Sequence, residues 1–334
     1  MATARGRQLL LADHPDLGSP VCRAAVRVEA RPLRNCGWVV NCADAASVLA
    51  AAALVQVATV HPAAAADAAV TGLEIWSASS TNDPLSQTET AEAFCPTSKR
   101  VIGGGGGVEW FLNDYTHDVV LTRMQPVHPF TGADSFVVTG ERINGGTDTD
   151  WSVKAYAVCA DPLPGLHIVT AASTPSSASS QLAQATCPDE EVVVGTGAYI
   201  YANSSGQVGL QVMRASMTGK VVYAQGHEDA DGYASSWFVM AVAVCADMID
   251  GYAVRNVPSD GDDSESSKAA EATCLDGRIP FGGGGAVAFT APGATSLRWV
   301  ALDDVLDEVH VSAIENTPTS TDWDYIVAQV ICGF

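Results

Sequence analysis

Glu141, Glu228 and Glu315 stand 87 residues apart, and each is followed by a tryptophan, Trp151, Trp237 and Trp323, ten, nine and eight residues later. Carboxylate plus indole is a pair suited to sugars, because carboxylate oxygens accept hydrogen bonds from hydroxyls while an indole face covers the C–H side of a pyranose. Two of the tryptophans close the similar turns TDTDW and TSTDW, which add Asp150 and Asp322 as further acceptors. The spacing predicts three related saccharide loops. Their residues are Glu141, Asp150, Trp151, Glu228, Trp237, Glu315, Asp322 and Trp323. The alternative is that the tryptophans pack beneath their loops, as large aromatics at strand ends usually do, while the glutamates face solvent.

Other reactive side chains form no pattern. His117, His128, His167, His227 and His310 lie at distances from the first cysteine of their own repeats that do not coincide, so no histidine site recurs. The chain holds no G-x-S-x-G elbow, no H-E-x-x-H and no C-x-x-C, and its glycine runs lack the Lys-Ser/Thr of a phosphate loop. The acidic stretch Asp260-Gly-Asp262-Asp263-Ser-Glu265 has Glu265 where a calcium loop needs glycine, and reads as a solvated linker. The expectation is therefore no catalytic residue, no metal and no cofactor.

What must position the glutamates and tryptophans is a set of strands. Apolar residues alternate with period two between Gly, Pro, Asn and Asp punctuation, and no helical period is found beyond residue 66. A first strand reads KRVIG, EEVVVG and RIPFG in turn, crosses glycines at Gly103, Gly195 and Gly282, and continues as VEWFL, AYIYA and AVAFT. Glycine inside a strand suggests a bulge, a bend or close backbone approach. The second strand is VVLTRMQPV, VGLQVMRASM or TSLRWVAL, and the third is SFVVTGE, KVVYAQG or EVHVSAIE. A fourth ends on cysteine, as WSVKAYAVC, WFVMAVAVC or DYIVAQVIC, and Trp323 stands one residue farther from its cysteine than Trp151 and Trp237 do from theirs.

Six cysteines frame these units as Cys95/Cys159, Cys187/Cys245 and Cys274/Cys332, and each first cysteine follows AEAF, AQAT or AEAT. The period is about 87 residues, over 90–165, 182–250 and 269–334. Pairing within each unit places strand one beside strand four, a Greek-key order, and predicts the disulfides Cys95–Cys159, Cys187–Cys245 and Cys274–Cys332. Three four-stranded sheets about a pseudo-threefold axis make an all-β prism. The threefold repeat, the glycine runs after the first strand and the framing cysteines resemble the β-prism proteins, that is the jacalin-type lectins and the vitelline membrane outer layer protein I family. Neither the Asp-Asp-Thr motif of the vitelline family nor a threefold match to the jacalin Gly-x-x-x-Asp sugar loop is found. The alternative architecture is three tandem β-sandwich domains joined by the spacers PLPGLHIVTAASTPSSASSQ and NVPSDGDDSESSK.

Residues 1–66 read as a leader containing a signal peptide at 45–65, with the apolar run AASVLAAAALVQVATV and a small-residue cleavage site before Ala66 or Asp67. Residues 67–89 then form an N-terminal segment ahead of the threefold domain, 90–334. The whole chain carries 17 basic against 38 acidic residues, a net charge of −21. So acidic a chain lacks the basic footprint that nucleic acid requires, and the leader run is too short for an integral membrane span. An even cysteine count beyond the leader favours disulfides and a secreted, extracellular location. The function expected is a secreted, lectin-like module whose partner is a carbohydrate or glycoconjugate surface. Two alternatives are a structural or cell-surface coat protein without enzymatic activity, and a secreted hydrolase whose site is assembled from unrepeated residues.

Overall fold

The structure is a computed structural model describing residues 68–334 apart from 111–117, 144–149, 204–205, 262–263, 289–294, 304 and 317–321, so the expected leader lies outside the described residues. Every regular element among the described residues is a strand. The first repeat holds β1 (Glu74–Ser79), β2 (Thr88–Phe94), β3 (Arg100–Trp110), β4 (Val119–Val127), β5 (Ser135–Arg142) and β6 (Trp151–Ala160). The second holds β7 (His167–Ala172), β8 (Ser180–Thr186), β9 (Glu191–Tyr201), β10 (Val208–Ala215), β11 (Val221–Glu228) and β12 (Phe238–Asp247). The third holds β13 (Ala253–Pro258), β14 (Ser267–Thr273), β15 (Ile279–Val287), β16 (Thr295–Leu302), β17 (Glu308–Glu315) and β18 (Ile326–Gly333).

Each repeat thus has six strands where four were expected. The extra ones come from segments not read as strands. β2, β8 and β14 are the alanine-rich runs before each first cysteine, and in β2 burial alternates strictly, with Ala91 and Ala93 turned inward. β1 lies in the expected N-terminal segment, β7 lies in the first expected spacer and β13 runs into the start of the second, and the two pair along β12 and β18.

Nor does each repeat form one sheet. The three six-stranded sheets run β1-β6-β3-β16-β17-β14, β2-β5-β4-β9-β12-β7 and β13-β18-β15-β10-β11-β8, all antiparallel. Every repeat gives three strands to one sheet and three to the next, and so every sheet is shared by two repeats. The expected neighbours do pair, β3 with β6, β9 with β12 and β15 with β18. Cys95–Cys159, Cys187–Cys245 and Cys274–Cys332 are bonded, each tying the two half-sheets of one repeat together with Cα atoms 5.7, 5.7 and 5.9 Å apart.

The glycines explain how three repeats close on one another. In β3, β9 and β15 a bulge falls immediately before the glycine, at Ile102, Val194 and Phe281. A bulge re-aims the backbone, and here each bulged carbonyl faces the glycine of another repeat. A Cβ on Gly103 would sit 2.9 Å from the Phe281 carbonyl oxygen, one on Gly195 would press on that of Ile102, and one on Gly282 on that of Val194. Three backbones therefore meet around a pseudo-threefold axis with no room for a side chain. Ala63–Phe334 is a single compact unit, and one buried apolar cluster runs through all three repeats.

Candidate functional site

The repeated tryptophans lie in the core. Trp151, Trp237 and Trp323 are 0, 1 and 1 % exposed, so none presents an indole face on which a pyranose could stack. This corrects the expected saccharide loops and agrees with the alternative that the tryptophans pack beneath them. The extra residue after Trp323 is taken up ahead of β18, which starts at Ile326, so that indole still points inward.

The glutamates separate into two kinds. Glu228 and Glu315 are also buried, contrary to the expectation that they face solvent. Their backbone N–H groups donate to the Ser179 and Ser266 carbonyls, each at 2.9 Å. In the first repeat the matching bond, Arg142 N–H to Gln87 O at 2.9 Å, belongs to Arg142 and not to Glu141. Glu141 has slipped by one residue, and a one-residue slip turns a side chain to the other face of the strand. The position that recurs in space is Arg142, Glu228 and Glu315. Diagonal to it, opposite the residue two positions earlier, Glu89, Gln181 and Lys268 recur on β2, β8 and β14, all three buried.

These pairs hold the indoles. Trp237 Nε1 donates to Glu228 Oε1 at 2.8 Å, and Gln181 Nε2 to the Trp237 carbonyl at 2.6 Å. In the third repeat Lys268 Nζ lies 4.9 Å from the Trp323 ring centroid, and Trp323 Nε1 donates to the Glu265 carbonyl at 2.6 Å. In the first, the Arg142 guanidinium lies 5.9 Å from the Trp151 ring. Glu141 instead accepts from the Gly206 N–H at 3.0 Å, joining the first repeat to the second, and burial pushes its carboxyl above the ordinary range. Asp150 accepts from Asn82 Nδ2 at 3.4 Å, and Asp322 is exposed beside the buried Trp323.

A different pair of aromatics is open to solvent. Trp76 on β1 and Phe94 on β2, 48 and 52 % exposed, flank a cleft of about 440 Å³ between the edge strands of the first repeat's two half-sheets. Ser77 and Glu92 also line it, and Glu92 Oε1 accepts from Ser135 Oγ at 2.6 Å. The equivalent positions are Val169 and Thr186 in the second repeat and Arg255 and Thr273 in the third, where Arg255 Nη1 donates to the Thr273 carbonyl at 2.8 Å and bridges the gap. Repeat-based reasoning missed this cleft because it is unrepeated; the signal was Trp76 alone among Val169 and Arg255.

His167, Glu191 and Cys245 converge closely enough to suggest a metal, but Cys245 is in the disulfide with Cys187 and its sulfur has no thiolate to offer. Among the described residues no helix is long and apolar enough to cross a membrane. The chain matches no model of a known protein family and no curated protein.

Proposed function

We propose that this protein is an extracellular, non-catalytic saccharide-binding module, with its seat in the Trp76–Phe94 cleft. The observation that carries the proposal is two half-exposed aromatic rings flanking a cleft that also holds a carboxylate. Water-exposed rings are dear to leave unfilled, and a pyranose offers both the apolar face to cover them and hydroxyls for Glu92 and Ser77. Three disulfides suit an oxidising compartment. In architecture, the division of each repeat between two half-sheets supports sandwiches closed into a ring, in preference to a prism of one sheet per repeat and to the β-prism resemblance.

Stacking and one carboxylate bond contribute on the order of 1 kcal/mol each, so a single cleft should bind weakly, with a Kd of roughly tens of millimolar. Titrating a panel of soluble neutral oligosaccharides into the intact protein, followed by saturation-transfer difference NMR on the sugar protons, tests it. Trp76→Ala with Phe94→Ala should abolish binding and leave the melting temperature nearly unchanged; binding that survives the double change overturns the proposal. A second reading, a coat or scaffold protein without a small ligand, is favoured by the burial of every repeated tryptophan.

A further inference from the structure

The three seams where repeats join are built alike in backbone and differently in side chains. Each seam is a pairing of just two residue positions, Arg123 with Tyr199 and Met124 with Ala198, Val212 with Ala286 and Met213 with Gly285, or Trp299 with Gly107 and Val300 with Gly106. On the outer face of the first/second seam, Tyr201 stacks on Phe238 with centroids 5.0 Å apart and Arg123 lies 5.3 Å from the Tyr199 ring. Those side chains occupy their own surface. On the third/first seam Trp299 meets Tyr156 edge-on at 5.9 Å, leaving a cavity of about 250 Å³ with Asp303 in its wall.

The second/third seam is open. Alanine stands at both places where the first/second seam has tyrosine, Ala286 for Tyr199 and Ala288 for Tyr201, and a groove of about 450 Å³ results. Tyr223 and Tyr325 line it, as do Arg214 and Asn256. The Arg214 guanidinium lies 5.9 Å from the Tyr223 ring, and no carboxylate lines the groove among the described residues. In a chain with 38 acidic side chains against 17 basic ones, a groove whose one charged group is a cation stands apart. Asn256 Oδ1 accepts from Gln329 Nε2 at 2.7 Å, which leaves its amide hydrogens to donate.

We infer that this groove is a second, unrepeated site for an acidic sugar, a uronate whose carboxylate meets Arg214 while its ring lies against Tyr223 or Tyr325. Guanidinium and carboxylate match in a two-bond fork, and tyrosines supply the apolar wall. The inference rests on the saccharide reading for its choice of a sugar backbone, but not on the Trp76–Phe94 cleft.

The probe is trigalacturonate, compared with its methyl ester, which keeps the shape and loses the charge. The intact protein should bind the acid at least tenfold more tightly than the ester. Arg214→Gln should erase that preference, and Ala286→Tyr, which copies the filled seam, should lower the acid to the weak affinity of the ester, each with an unshifted melting temperature. Trp76→Ala should leave acid binding untouched. Equal binding of acid and ester, a preference that survives Arg214→Gln, loss of acid binding in Trp76→Ala, or no binding of either probe would each overturn the groove. Failure of neutral sugars to bind, with acid selectivity intact, would remove the cleft and leave the groove standing.

Discussion

Trp151, Trp237 and Trp323 fill one position three times, and each is held by different chemistry. Glu228 accepts the indole N–H of Trp237, whereas Arg142 in the same place can only donate, and Trp151 Nε1 has no acceptor among the described residues. The charges at the flanking pair are reversed between the first repeat, Glu89 with Arg142, and the third, Lys268 with Glu315. A core site has thus tolerated exchange of both charges while keeping one of each sign. Glu141, displaced from this set, carries a testable pH dependence. Burial raises its carboxyl in the folded protein, so the protonated form favours folding. Its contribution is greatest below the unfolded pKa and is lost as pH rises through the folded one. Glu141→Gln should match the parent near pH 4 and exceed it near pH 7, by less than about 1 kcal/mol since the side chain is only partly buried. Thermal melts at the two pH values check this; a variant that is less stable at neutral pH would show that the Gly206 bond outweighs burial.

At the scale of the strand, the glycines make the sharpest prediction. A methyl on Gly195 would run into the Ile102 carbonyl and lie 2.8 Å from the Gly103 Cα, with backbone on every side and nothing to yield. Gly195→Ala should destabilise by about 3 kcal/mol or more, while Gly261→Ala, with nothing within 4 Å of the new Cβ, should be neutral. Urea titrations of the two variants compare them directly. The sequence made the bulge legible, because glycine after a β-branched run has few other uses in a strand. It also made legible the pairing of first with fourth strand, through the cysteines. β2, β8 and β14 were hidden by their composition: the inward face of each offers only two alanine methyls beside one polar side chain, Glu89, Gln181 or Lys268, and that weak alternation reads as ordinary polar chain. The sharing of sheets was hidden for another reason. Seams are two positions long, between strands far apart in sequence, and no local pattern announces them. Likewise the Glu141 spacing of 87 was genuine in sequence and false in space, because the first repeat's third strand is offset by one residue.

For the molecule as a whole the question is whether three repeats melt as three or as one. Each has two half-sheets and its own disulfide, the ingredients of an independent sandwich. Against this, every sheet crosses a seam, three bulged carbonyls press on glycines of other repeats, and the buried cluster is continuous. The segment ahead of β1 adds a further tie: Ala68 pairs with Ile249, and the Val70 N–H donates to the Phe334 carbonyl at 2.9 Å, so the first described residues are fastened to the end of the second repeat and to the last residue of the third. Removing one disulfide separates the possibilities. The loop closed by Cys187–Cys245 spans 58 residues, worth roughly 4 kcal/mol of unfolded-chain entropy. Were the repeats independent, Cys187→Ala with Cys245→Ala would split off an early transition belonging to the second repeat alone. Interlocked sheets predict instead one calorimetric transition at a lower temperature, its enthalpy still that of the whole unit. Losing the second repeat would strip β4 and β15 of their seam partners β9 and β10, leaving Gly282 without the Val194 carbonyl and the Ile102 carbonyl without Gly195. Neither neighbour can then persist folded, and a two-step melt would show that the seams are too short to couple them.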